Sequence, residues 1–366
     1  MSMPSRVNLI LIIGFSLFLG LPLLLMMGGV GITGAGTENR ALTPLPHWPW
    51  QLAEPGQWPR QFENYFNDRF GMRNRMINAH NRIKLNLFRT SPTDKVTIGQ
   101  EGWLYLSETV TQETPEDPAF YDRHYQMWRS RQDWLASQGI PYLFVLVPDK
   151  KSIYPEYLND PQPPQYYDSN GRYAREMAAR GDLSFLDLGP ALRAHKGDGP
   201  LYFRNDSHWN FYGSLTGYRA IAERLTQLSP LQPETFSDMP WSLSPCEGGG
   251  LARMLGFPKA LKERTYMWPV WDGWCEWERT EALPYKEAPM PDYRKPKIWT
   301  CADKDLKVLL IHDSFMTALR LYLAQNFGRT VFVWDYVDQA TLAALIEREQ
   351  PDLVIEEHVT RLLLGR

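Results

Sequence analysis

A serine nucleophile needs a base to take its proton and a carboxylate to hold that base in one tautomer. Asp206, His208 and Ser314 could supply such a set. Ser314 follows the apolar run Val308-Leu309-Leu310-Ile311, which stops at His312-Asp313-Ser314. From Met316 to Leu323 apolar residues recur at helical spacing, so a strand, a sharp turn and a helix are expected. A serine in that turn stands at the edge of an open α/β sheet where ligands gather. It also stands at a helix N-terminus, which favours developing negative charge. A serine there can equally serve as a helix cap, and the local pattern leaves both roles open.

Asp206 and His208 lie two apart in Leu201-Tyr202-Phe203-Arg204-Asn205-Asp206-Ser207-His208-Trp209-Asn210. A helix is expected after them, over about 211–227. Residues two apart diverge on a regular helix. The pair must therefore precede that helix, or sit in its first turn, to share a surface. The competing reading makes Asp206 or Ser207 the helix cap and leaves His208 at the surface.

The elements that must position these residues alternate along the chain. Ala119 to Gln138 reads as a helix and Pro141 to Pro148 as a near-continuous apolar run, the mark of a strand buried on both faces of a parallel sheet. Asp149-Lys150-Lys151-Ser152 follows at that strand's end. Lys150 and Lys151 are expected in a solvated loop, or against an anionic sugar. Gly171–Arg180 reads as a helix, Leu183–Leu188 as a strand, and Ala191–His195 as a short helix with His195 exposed. Leu215, Tyr218, Ile221, Ala222 and Leu225 give the helix after His208 a packing face. Thr330–Trp334, Gln339–Gln350 and Pro351–Glu357 read as strand, helix and strand. Two short strands, 95–99 and 102–106, flank a turn at Gln100-Glu101-Gly102. The alternation predicts an α/β fold with a doubly wound parallel sheet flanked by helices and right-handed crossovers.

The chain has 366 residues and a net charge of -3, with no basic run, which argues against nucleic acid as a partner. Val7 to about Ile32 is strongly apolar and follows Arg6. That is enough to span a bilayer with the remainder exported. A cleaved signal peptide ending near Thr33-Gly34-Ala35 competes, but the run is long for one, which favours an anchor over 1–36. Residues 37–59, rich in Pro and Trp, read as a linker with His47 exposed, and about 58–88 as a helical region. From about 235 to 300 the periodicity breaks down into an insertion, with Trp268, Trp271, Trp274 and Trp277 close together. Its aromatics could line a carbohydrate groove or form a small β-subdomain of their own. Cys246, Cys275 and Cys301 are the cysteines. After export one pair can bond and leave one thiol; Cys246 with Cys275 would brace the insertion, though spacing does not choose the pair. No spacing supports a metal site, and no cofactor is expected.

Taken together, Asp206-x-His208-Trp209 and a later Asp313-Ser314-Phe315 turn resemble the SGNH-hydrolase-like domain of the bacterial alginate O-acetyltransferases and related polysaccharide-acetylation proteins. Glu38–Leu42, Phe62–Arg73, Gly102–Tyr105, Pro148–Pro155 and Pro351–Glu356 fit the same resemblance, which covers most of the chain after about residue 37. It implies a permuted SGNH fold over 60–366, in which Asp and His precede Ser. It implies catalytic roles for Ser314, His208 and Asp206, and acetyl transfer through an acyl-serine onto an exported polysaccharide such as alginate. It also implies an integral membrane acyltransferase as donor partner, and a single-pass inner-membrane protein with its catalytic domain in the periplasm. A carbohydrate acetylesterase, or a non-catalytic polysaccharide-binding component of a secretion complex, are the alternatives. The turn here reads His312-Asp313-Ser314 where the family has Gly-Asp-Ser, and His312 is expected to point away from the serine.

Overall fold

The computed structural model describes residues 3–28, 43–47, 55–71, 73–159, 162–237, 239–267, 275, 283 and 294–365. The chain divides into two compact units, one of residues 1–94 with 252–258, the other of 95–251 with 259–366.

In the first unit, helix α1 (Met3–Met27) contains the segment Arg6–Met27, the one helix among the described residues long and apolar enough to cross a membrane. At the α-helical rise its length is about 38 Å, against roughly 30 Å of bilayer hydrocarbon. The possible cleavage site at 33–35, and much of the linker, lie outside the described residues. The helical region after the linker is two helices, α2 (Trp58–Arg69) and α3 (Arg73–Asn86). Pro59 sits in the first turn of α2, where its missing N–H costs nothing. The break between the helices falls at Gly71, where a Cβ would lie 2.2 Å from the carbonyl oxygen of Pro22 in α1.

The second unit opens with an antiparallel hairpin, β1 (Val96–Ile98) and β2 (Leu104–Leu106). Then follow α4 (Ser107–Thr111), α5 (Pro118–Ser137), β3 (Tyr142–Val147), α6 (Lys150–Ile153), α7 (Ser169–Arg180), β4 (Phe185–Asp187), α8 (Gly189–Ala194) and α9 (Phe211–Leu228). A second hairpin pairs β5 (Leu243–Cys246) with β6 (Glu263–Tyr266), and α10 (Gly250–Met254) lies between them in sequence. The chain ends with β7 (Lys297–Thr300), β8 (Lys307–His312), α11 (Met316–Ala324), β9 (Arg329–Trp334), α12 (Gln339–Glu349), β10 (Leu353–Val359) and α13 (Thr360–Leu364).

The main sheet has the order β4-β3-β10-β8-β9-β7. Five strands are parallel, and β7 runs antiparallel to β9 at the edge. That edge adds one antiparallel strand to the doubly wound parallel sheet expected from the sequence. β7 emerges from the 235–300 stretch rather than from a crossover helix, and an antiparallel edge strand is common on such sheets. β3 and the centre of β8 are buried on both faces, which explains their apolar runs; β10 is buried as well but carries Glu356, Glu357 and His358. Val308 and Leu310 pack with α9 and α11 on one face; Leu309 and Ile311 pack with α5, α7 and α12 on the other. The ends of β3, β10 and β8 therefore lie side by side, and they deliver Asp149, Thr360 and Ser314 to one rim.

Candidate active site

The turn after β8 is tied by its own aspartate. The buried carboxylate of Asp313 accepts the N–H of Phe315 at 2.9 Å and that of Val359, in β10, at 2.7 Å. None of His312, Asp313 and Ser314 has a positive φ, so the turn closes without needing a glycine at position 312. His312 is buried, with Nδ1 2.7 Å from the Asp313 carbonyl oxygen and its ring beside Phe332 and Trp334. Burial pushes its pKa down to about 3, so it stays neutral. Phe315, not Ser314, occupies the N-cap position of α11, and no side chain caps that end. The Ser314 hydroxyl instead meets His208, with Oγ 2.8 Å from Nε2.

The loop carrying Asp206 and His208 is closed at its base. Tyr202 and Trp209 form an antiparallel bridge, and the Phe203 N–H donates to the His208 carbonyl at 3.1 Å. Asn210 caps α9, its Oδ1 accepting the Gly213 N–H at 2.8 Å. Neither Asp206 nor Ser207 is that cap, which frees the Asp206 carboxylate for His208. Nδ1 of His208 lies 2.7 Å from Asp206 Oδ1. An ionised carboxylate only accepts, so Nδ1 carries the proton and Nε2 is the lone-pair nitrogen facing Ser314. Burial alone would raise the Asp206 pKa. The hydrogen bonds and charge of His208, with the Gly250 N–H, outweigh burial and hold it well below the usual carboxylate range. Side chains of both residues keep some contact with solvent, 33% for His208 and 20% for Asp206.

Several residues take other roles in the structure than the sequence suggests. Gly249 approaches so closely that a Cβ there would stand 2.3 Å from Asp206 Oδ2. The run Gly248-Gly249-Gly250 is visible in the sequence, but nothing local marks Gly250 as a donor to an aspartate 44 residues away. Lys150 and Lys151 are 3% and 2% exposed, which overturns both the solvated-loop and the sugar-contact expectations. Their ammonium groups turn inward because backbone carbonyls await them: Phe203, Arg204 and Asp206 for Lys150, and Gln112 for Lys151. Beside the serine, the Phe315 ring lies 4.9 Å from the His208 ring and 5.3 Å from the Arg361 guanidinium, which is ion-paired with Asp149. His195 is half-buried, its Nδ1 2.9 Å from the Ala191 carbonyl.

The disulfide joins Cys275 to Cys301, and Cys246 is free. Cys246 sits in β5 opposite Glu263, so the brace suggested between Cys246 and Cys275 does not form. The four clustered tryptophans lie outside the described residues.

Residues 96–267 match the model of the SGNH hydrolase-like domain of the acetyltransferase AlgX. That stretch includes Asp206 and His208; Ser314 lies beyond it. The probable alginate O-acetylase AlgJ of Pseudomonas fluorescens is 26% identical over 188 residues, 50% of this chain and 46% of that protein. Its Pseudomonas aeruginosa counterpart is 26% identical over 170 residues, 46% of this chain and 42% of that protein. The chain thus spans about half the length of the curated relatives it matches. The structure of Bacillus cereus PatB1 with a sulfonyl adduct superposes with a TM-score of 0.55 at 15% identity, covering 76% of this chain and 97% of that one, a likeness of fold. Over residues 96–267 the chain is thus similar to the SGNH hydrolase-like domain of the acetyltransferase AlgX, and over about half its length to probable alginate O-acetylases.

Proposed function

We propose that the chain moves an acetyl group through an acyl-serine onto hydroxyls of an exported polysaccharide, alginate or a related polymer. The observation that carries this is the unbroken hydrogen-bonded chain from Asp206 through His208 to Ser314. His208 Nε2 takes the hydroxyl proton as Ser314 Oγ attacks the acetyl carbonyl of the donor. The backbone N–H of Ser314, at the start of α11, is proposed as an oxyanion donor, an arrangement that supplies several kcal/mol. Collapse breaks the donor's acyl bond, and His208 returns the proton to the leaving group. A sugar hydroxyl then gives its proton to His208 and attacks the acyl-serine; collapse breaks the ester bond to Ser314, and His208 returns the proton to Ser314 Oγ.

The names of the matched relatives support acetyl as the group and alginate as the polymer class. Helix α1 supports attachment to the inner membrane with the catalytic unit in the periplasm. There an integral membrane acyltransferase would supply acetyl from across the bilayer. Water in place of the sugar would make the same machinery an esterase, and the partial exposure of His208 favours keeping that reading in the test. The full chain, purified in detergent, is incubated with p-nitrophenyl acetate and unacetylated alginate. Acetylated oligomers by mass spectrometry with wild type, and none with Ser314→Ala, support transfer. Free acetate alone would establish the esterase, and equal activity of Ser314→Ala would refute both.

A further inference from the structure

The backbone of residues 203–206 runs between two buried, oppositely charged side chains. On one side the Lys150 ammonium donates to three carbonyls: Phe203 at 3.1 Å, Arg204 at 3.1 Å and Asp206 at 2.6 Å. An ammonium has three donors, and all are used. On the other side the Glu263 carboxylate accepts the N–H of Arg204 at 2.6 Å and of Asn205 at 3.0 Å. The peptide dipoles of this segment thus lie with their negative ends on a cation and their positive ends on an anion. The rings of Trp103 and Tyr105 stand 5.4 and 5.0 Å from Nζ, close enough for cation–π attraction. The Arg204 carbonyl also takes the Leu104 N–H at 3.0 Å, fixing the segment to β2.

We propose that Lys150 is a positioning residue for the Asp206–His208 pair, clamping the 203–206 backbone against Glu263 so that the Asp206 carboxylate is aimed at His208. The inference rests on the acyl-serine reading above, because what it positions is the base of that serine. Its strongest link is Asp206 itself, whose carbonyl is held by Lys150 while its carboxylate holds the imidazole. A rigid carbonyl fixes the Cα, and the Cα fixes where the carboxylate can reach. Burial pushes the Lys150 ammonium down to about 7 and the Glu263 carboxyl up; Asp206 and then Glu263 oppose the shift on the lysine, and the Arg204 and Asn205 N–H groups, then Lys150, oppose it on the glutamate.

The test uses the full chain in detergent with p-nitrophenyl acetate as the probe. Lys150→Met keeps the length and removes the donors. It is expected to lower kcat about 10- to 100-fold with KM nearly unchanged, the penalty of a misplaced catalytic group. Lys150→Ala is expected to lose as much and to regain rate when propylammonium is added, whereas propanol has no effect. The Nδ1 proton resonance of His208 should weaken or move in both variants, a change that a merely structural role would not produce. Full kcat in Lys150→Met beside an inactive Ser314→Ala overturns the positioning role and leaves the acyl-serine reading standing. Full activity in Ser314→Ala removes both. Should neither lysine variant fold, Glu263→Gln weakens the opposite jaw, and undiminished kcat there overturns the clamp.

Discussion

The indole N–H of Trp209 donates to the carbonyl oxygen of Phe315 across 3.0 Å. The residue after the proposed base is thereby tied to the residue after the proposed nucleophile, although they stand 106 positions apart in the chain. Both are buried, so water cannot replace the bond. Trp209→Phe keeps most of the ring and loses the donor, leaving a buried carbonyl unpaired at a cost of about 1–3 kcal/mol. The expected outcome is a lower melting temperature together with slower p-nitrophenyl acetate turnover. A variant that melts lower yet turns over at the wild-type rate would show that this tie does not set the His208–Ser314 distance.

Ser314 and His208 should behave as one unit. Each single alanine variant is expected to lose roughly 10³-fold or more in kcat, and the double variant no more than either, because groups that act together are not additive. Asp206→Asn is expected to fall by a similar order through the wrong imidazole tautomer. Multiplying losses in the Ser314/His208 double variant would mean that the two residues act independently, against a shared proton transfer.

Two buried groups should pull stability in opposite directions with pH. Glu357 is fully buried at the end of β10; burial, and then the charge of Asp313, push its carboxyl well above the usual range. The folded state therefore holds a proton that the unfolded state releases above about pH 4.5, so this group's contribution falls as pH rises, by up to ~1.4 kcal/mol per unit. Glu357→Gln removes the effect. Its stability advantage over wild type, from urea unfolding, should grow from pH 4.5 towards neutrality. A constant difference over that range would mean that Glu357 is ionised in the fold.

His312 acts the other way. Folded, it stays neutral down to about pH 3; unfolded, it binds a proton below about 6.5. Stability from this group is complete above pH 6.5 and is lost as pH falls towards 3. Between pH 6.5 and 4.5 the stability of wild type relative to His312→Asn should fall as pH falls, by up to ~1.4 kcal/mol per unit, and taking the difference between the two proteins cancels the opposing Glu357 contribution. A wild-type-minus-variant difference that stays constant over that window would contradict a neutral buried imidazole.

Reduction should weaken the fold through a single bond. The Cys275–Cys301 bridge spans 26 positions, and its loss is worth about 3.5 kcal/mol by chain entropy. Cys301→Ser is expected to lower the melting temperature, and added dithiothreitol to do nothing further to that variant. The oxidised wild type should show one thiol, Cys246, which reacts slowly with Ellman's reagent at neutral pH because burial raises its pKa. Two or more thiols before unfolding would overturn the pairing.

What the sequence settled by itself is local or periodic. Strands buried on both faces leave apolar runs, so β3, β8 and β9 could be read directly, and with them the rim where Ser314 emerges. The residue types of Asp206, His208 and Ser314 limited the chemistry before any distance was known. Only the tertiary structure decided that Asn210 rather than Asp206 caps α9, that Cys301 rather than Cys246 meets Cys275, and that β7 closes the sheet antiparallel. It alone turned Lys150 inward. Whether a lysine is solvated or buried depends on acceptors supplied from elsewhere in the chain, here carbonyls 53 to 56 residues away, and no window of sequence carries that contact.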